Sequence, residues 1–178
     1  MENEDLMRIQ RVSRRFRLLF SALVVILPLL SLIYWLGFNH FPQEFVPLPI
    51  RVEAELSLLA RLLGFVISML PIGVVIAAMY ILAKLFNLYE KGIVFASPTV
   101  KCFRQLGWVL MFWVLASLLY LPMLSGVVTS VNPPGQRLIA AQLGLSDFVI
   151  LLMGAIVVLI SWVMDEARKL EEEQAHTV

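Results

Sequence analysis

The chain has 178 residues, of which 60% are hydrophobic and only 15% charged, and its mean hydropathy is +0.87. Soluble domains carry about a quarter charged residues, so this composition suits a chain dissolved in lipid. The net charge of +1 offers no basic field for direct nucleic-acid binding, and the lone Cys102 excludes an intramolecular disulfide or a multi-cysteine metal site.

Four apolar segments carry the hydrophobicity, at about 16–37, 62–84, 106–127 and 147–164. Each falls within the roughly 17–25 residues that a helix needs to cross the hydrocarbon core, the last only just. In lipid the backbone must satisfy its own hydrogen bonds, and LLMGAIVVLI lacks the alternation of a barrel strand, so the spans read as helices. The sequence SRRFRLLF before the first span is a loose match to a twin-arginine export signal. No A-x-A-like cleavage site follows Trp35 and Gly37, so that span reads as a retained anchor.

The first connection holds Pro42, Pro47 and Pro49, which favour an extended path, and RVEAELSLLARLL from Arg51 predicts a helix running into span two. The second connection, residues 88–104, is a hairpin between spans two and three. Gly92 suits a left-handed residue just past a helix end, Ser97 an N-cap and Pro98 the first helical position. The third connection predicts a turn at Asn132 to Gly135, then a short interfacial helix over Arg137 to Leu143. Ser146 is placed to cap span four, with Asp147 in its first turn. The tail, 165–178, continues span four as a charged helix in which Asp165 and Lys169 stand four apart.

Basic residues set the orientation. With both termini cytoplasmic, eleven of the fourteen Lys and Arg residues lie inside; the inverse topology reverses the ratio. Tyr34, Trp35 and Tyr120 then fall at outer span ends, and Tyr89, Trp108 and Trp162 at inner ones, as interfacial aromatics do.

Catalytic chemistry has little to stand on. No ionisable residue lies deep in a span, and His40 and His176 fall on opposite sides of the membrane, so no shared metal or haem site forms. No hydrolase, zinc-protease or phosphate-loop motif occurs. The expectation is a non-enzymatic protein with no catalytic residue, cofactor or metal. Gly64 with Ser68, and Gly73 with Ala77, offer small-residue spacings on span two for helix packing or a homo-oligomer contact. Pro28, Pro71 and Pro122 mark candidate kinks, and Cys102 reads as packing.

What remains is charge on one side of the membrane. Lys91, Lys101 and Arg104 on the hairpin, with Glu171, Glu172 and Glu173 on the tail, form a candidate patch for a cytoplasmic protein. The alternative is an oligomeric small-solute transporter or channel with spans two and four as lining candidates. The expected fold is an all-α membrane protein, a single 1–178 domain of four transmembrane helices in a four-helix bundle, with N and C termini cytoplasmic.

The hairpin LYEKGIVFASPTVKCFRQLGW places Leu88, Tyr89, Gly92, Phe95, Arg104, Leu106, Gly107 and Trp108 in a pattern, L-Y-x-x-G-x-x-F, then a basic helix start, then L-G-W. This pattern, with the tail from Glu166 to Val178, resembles a bacterial domain-of-unknown-function family of small four-span inner-membrane proteins. The resemblance covers most of residues 16–178. It implies the bacterial inner (cytoplasmic) membrane and, because some members are paired with small helix-turn-helix regulators, a regulatory role with a protein partner of that kind.

Overall fold

A computed structural model describes residues 2–41, 55–94, 96–133, 135 and 137–175. Every regular element among them is helical. The four long helices are α1 (Glu2–Leu36), α2 (Leu58–Glu90), α3 (Ser97–Val128) and α4 (Leu145–Ala175), with short 3-10 turns at Phe38–His40 and Thr129–Val131. All four are long and apolar enough to cross a membrane. Their 31 to 35 residues give lengths of about 46–53 Å at 1.5 Å per residue, against a hydrocarbon core of about 30 Å. Each helix therefore projects beyond the core or tilts within it. The helical assignment runs unbroken across Pro28, Pro71 and Pro122.

The helices pack in a row. α1 lies on α2, α2 on α3, and α3 on α4; among the described residues no other helix pair packs to a comparable extent. The sequence predicts a four-helix bundle; the structure instead joins the helices neighbour to neighbour. Water would drive four apolar faces together around one core, but lipid tails satisfy an apolar face as well as leucine does. Only close-fitting neighbours then need to meet.

Small residues make those fits. A Cβ built on Gly107 would lie 2.6 Å from Val158 Cγ2 and 2.8 Å from the Gly154 carbonyl oxygen, and one on Gly154 would lie 2.9 Å from the Gly107 oxygen. α3 and α4 thus touch backbone to backbone. On α2, a Cβ at Gly64 would enter the Trp35 ring, whereas one at Gly73 would meet nothing within 4 Å. Gly64 and Ser68 serve packing between α1 and α2; Gly73 serves no contact of that kind.

Helix ends follow local chemistry, with corrections. Ser57 caps α2 by accepting from the Ala60 N–H at 3.2 Å, so the helix begins at Leu58 rather than near Arg51; residues 55–57 are not helical, and 51–54 lie outside the described residues. At the far end Gly92 has φ 77°. The Ile93 N–H donates to the Leu88 carbonyl and the Gly92 N–H to that of Tyr89, closing the helix in a Schellman turn as the sequence predicts. α3 starts where expected, but its N-cap is Ala96, with Ser97 the first helical residue and no side-chain cap bond. The Ala96 carbonyl already accepts from Thr99 and Val100, and the Thr99 hydroxyl holds the connector by donating to the Ile93 carbonyl at 3.3 Å.

The expected helix over Arg137 to Leu143 is absent: 137–144 form no regular element. The reason is the register of α4. The Ala140 N–H donates to Ser125 Oγ at 2.9 Å, while Gly154 sits at Gly107. Gly107 to Ser125 is about 27 Å of helix, and α4 from Gly154 back to Leu145 returns only about 13 Å of it. The five steps from Ala140 to Leu145 must cover the rest, and they reach at most about 17 Å when fully extended. A helix there would fall short. α4 is then capped from within: Asp147 Oδ2 accepts from the Gly144 N–H at 2.8 Å, a task the sequence reading gave to Ser146.

The best-buried cluster lies at the loop end, away from the hairpin. Trp35 of α1, Phe38 of the first 3-10 turn, Leu56 just before α2, Ala60 and Ile67 of α2, and Leu124 and Val128 of α3 pack together. Asn39 fastens the chain beside them, its side chain donating to the Leu56 carbonyl at 3.0 Å and accepting from the Leu56 N–H at 3.1 Å.

Candidate functional site

Because α1 and α3 both lean on α2 without packing extensively on each other, a valley opens between them. It holds a cavity of about 510 Å³ lined from α1 by Leu27, Leu30, Ser31, Tyr34 and Trp35, from α2 by Ser68, Pro71, Ile72 and Val75, and from α3 by Trp113, Ser117 and Tyr120. No lining residue is charged. At its loop end Trp35, only 2% exposed, donates its indole N–H to Ser68 Oγ at 2.9 Å, and the Ser68 side chain also meets the Tyr120 hydroxyl. Trp35 stacks on Phe38 with ring centroids 5.2 Å apart, and Tyr34 stands edge-on to both rings. Tyr34, Trp35 and Tyr120, expected at outer span ends as interfacial aromatics, also line this cavity. Gly64 leaves room for the Trp35 indole, which a Cβ there would enter.

The hairpin end is held differently. Phe16, Phe20 and Phe86 form a cluster with centroid separations of 5.2 to 6.0 Å, and Tyr89 adds an edge-on contact to Phe86. Beside it Arg17 Nη1 donates to Asn87 Oδ1 at 3.2 Å, and Arg17 Nε lies 3.1 Å from Glu90 Oε2, an ion pair without hydrogen-bond alignment.

The candidate docking residues are brought to one end but not into one cluster. Lys91 and Lys101 are exposed, Arg104 is half-buried, and among the described residues none of the three forms an ion pair. Glu171, Glu172 and Glu173 continue α4 as helix; their side chains lie outside the described residues. From the Gly107–Gly154 crossing, Lys101 is six residues or about 9 Å away, whereas Glu171 is seventeen residues or about 25 Å away. That offset exceeds the screening length of about 8 Å in physiological salt, so the two clusters act separately unless one partner touches both. On α4 the expected Asp165–Lys169 pair gives way to Arg168 with Asp165 at 3.4 Å and Lys169 with Glu166 at 3.2 Å, both three apart.

Cys102 is fully buried, in keeping with a packing role. Among the described residues no group of three or more His, Cys, Asp and Glu side chains could hold a metal; His176 lies outside them. Among the described residues, spans two and four, named as possible pore walls, share no extensive contact; the cavity is lined by spans one, two and three.

A protein-family model described as a protein of unknown function, DUF2975, matches residues 18–178. The chain belongs to that family. The match takes in the hairpin and the tail on which the resemblance rested, and the first membrane span from its third residue onward. No curated protein and no solved structure matches the chain.

Sequence reading passed over the cavity because its polar members look like ordinary small residues. One signal was present: Ser31, Ser68 and Ser117 stand with Pro28, Pro71 and Pro122 in the same three spans, and the fourth span has no proline.

Proposed function

We propose that this is a non-enzymatic regulatory or scaffolding protein of the bacterial inner membrane, with both termini cytoplasmic, that docks a cytoplasmic protein partner through its hairpin end. The observation carrying this reading is the connector itself. Two long helices are joined by a tightly closed turn, fixed by the Gly92 Schellman motif and by the Thr99 hydroxyl on Ile93. Lys91 at that turn and Lys101 on α3 are exposed and Arg104 is half-buried, and none of the three has an ion partner among the described residues. Arg11, Arg14 and Arg15 of α1 are exposed at the same end. A rigid cationic surface of this kind suits an acidic face on a partner, whose approach it would steer and orient more than strengthen. The family resemblance adds that a small helix-turn-helix regulator is a fitting partner. The acidic α4 extension stands about 16 Å further out, a second contact for a partner large enough to bridge both.

The experiment has two parts. Single cysteines at Ser97 and Gln43, in a Cys102→Ala background, report sidedness: Gln43→Cys is expected to label from outside intact cells and Ser97→Cys to be protected. Partner recovery is then compared by crosslinking for the wild type, for Lys91→Gln/Lys101→Gln/Arg104→Gln, and for a chain ending at Lys169. Normal insertion with loss of a crosslinked partner in the triple variant supports docking. Unchanged recovery in both variants leaves the charge as a topology signal alone.

A further inference from the structure

We propose that the valley between α1 and α3 is a binding site for an uncharged, flat-ringed lipophile that carries a hydrogen-bond-accepting carbonyl and enters sideways from the bilayer. This inference stands apart from the docking reading and uses none of its residues. The cavity volume of about 510 Å³ falls within the roughly 300–1,000 Å³ of small-molecule sites. Four of its lining side chains, Tyr34, Trp35, Trp113 and Tyr120, are aromatic, which suits a ring that can stack or meet them edge-on.

The hydroxyls decide the rest. Ser117 spends its hydrogen on the Val114 carbonyl, and Ser68 is engaged by Trp35 and Tyr120. Ser31 and Tyr34 also line the cavity, yet neither hydroxyl has a hydrogen-bond partner among the described residues. They sit one turn apart on α1, between apolar neighbours, within a helix apolar enough to span the membrane. An unpaired hydroxyl in hydrocarbon is unfavourable, so the occupant that completes this site accepts hydrogen bonds. A plain acyl chain leaves both donors idle. A charged headgroup would find no counter-charge, since no lining residue is ionised. A neutral ring bearing a carbonyl meets both conditions.

The test uses the full chain in lipid nanodiscs with 2-methyl-1,4-naphthoquinone as the probe, read by quenching of tryptophan emission. Trp108 and Trp162, both exposed and outside the cavity lining, are replaced by Phe so that only Trp35 and Trp113 report. The expected result is saturable quenching above the linear background of bilayer partitioning. Ser31→Ala with Tyr34→Phe should weaken the saturable component by about threefold to tenfold, the effect of two modest hydrogen bonds. Val75→Phe, which narrows the cavity without adding a tryptophan, should abolish it; unchanged probe-free emission in the hydroxyl variant confirms that the fold is kept. Purely linear quenching overturns the proposal. So does saturable quenching that ignores the loss of both hydroxyls, or that hexadecane displaces as well as the quinone does.

Discussion

Gly107 and Gly154 face each other across the α3–α4 crossing so closely that a Cβ on either would fall within 3.0 Å of the other's carbonyl oxygen. This contact sets the register of α4, and through it the extended path of residues 140–145. Gly107→Ala or Gly154→Ala should therefore destabilise the pair by about 1–3 kcal/mol, as overpacking does when backbone is the obstacle. Gly73→Ala, with open space around it, is the control and should be neutral or slightly stabilising, given alanine's better helix propensity. Thermal unfolding of the three variants in one detergent measures this; a fall for Gly73→Ala equal to the others would remove the crossing as the cause.

At the loop end, Ser68→Ala would leave the Trp35 indole N–H, now 2.9 Å from Ser68 Oγ, without its acceptor in a water-poor setting. The loss should be about 1–3 kcal/mol, the penalty for stranding a buried donor rather than the smaller net worth of the bond. Ser68→Thr keeps the oxygen and should recover part of it. In a chain whose other tryptophans are Phe, Trp35 emission should shift for Ser68→Ala. An unshifted spectrum with wild-type unfolding would show the bond to be unimportant.

The number of apolar helices long enough to span a membrane was legible in the sequence because length and apolarity are one-dimensional properties. The Gly92 turn was legible for a similar reason, since a left-handed residue after a helix selects glycine locally. What failed was everything that depends on which helix meets which. Trp35 reads as an interfacial aromatic, and its packing against Gly64 shows only once α1 meets α2; the Arg137–Leu143 stretch looks helical until the Gly107–Gly154 contact draws it out. The cavity follows from the row arrangement, which periodicity does not encode when lipid-facing and protein-facing sides are equally apolar. For the docking patch, sequence placed both charge clusters at one end, but only the helix register revealed their axial offset.

The connector offers a direct contest between two hydroxyls. Ser97 makes no cap bond, so Ser97→Ala should change stability by less than about 0.5 kcal/mol. Thr99 is fully buried and donates to the Ile93 carbonyl, so Thr99→Val, of similar shape, should lose about 0.5–1.5 kcal/mol. Gly92→Ala, at φ 77°, should lose roughly 1–2 kcal/mol to the left-handed backbone alone. Amide hydrogen exchange at Gly92 and Ile93, whose N–H groups close the turn, reads all three. Faster exchange in Ser97→Ala than in Thr99→Val would restore serine as the cap.

The hairpin end tests whether charge or aromatic packing fastens α1 to α2. Arg17 and Glu90 approach to 3.1 Å, but their side chains remain 35% and 27% exposed and the contact is poorly aligned. Discounted for solvent, such a pair is worth about 0–1 kcal/mol. Phe86 by contrast meets Phe16, Phe20 and Tyr89. Aromatic pairs contribute about 0.5–1.5 kcal/mol each beyond their buried area, so removing three outweighs the ion pair even if each is at the low end. Phe86→Ala should lower stability by about 2–4 kcal/mol, and a double-mutant cycle of Arg17→Gln with Glu90→Gln should give a coupling below about 1 kcal/mol that shrinks further in high salt. Near-equal effects of Phe86→Ala and Arg17→Gln, or a coupling that salt leaves untouched, would mean that the ion pair is screened from water and is the principal fastening. Each measurement is an unfolding curve of the full chain in the same detergent at two salt concentrations.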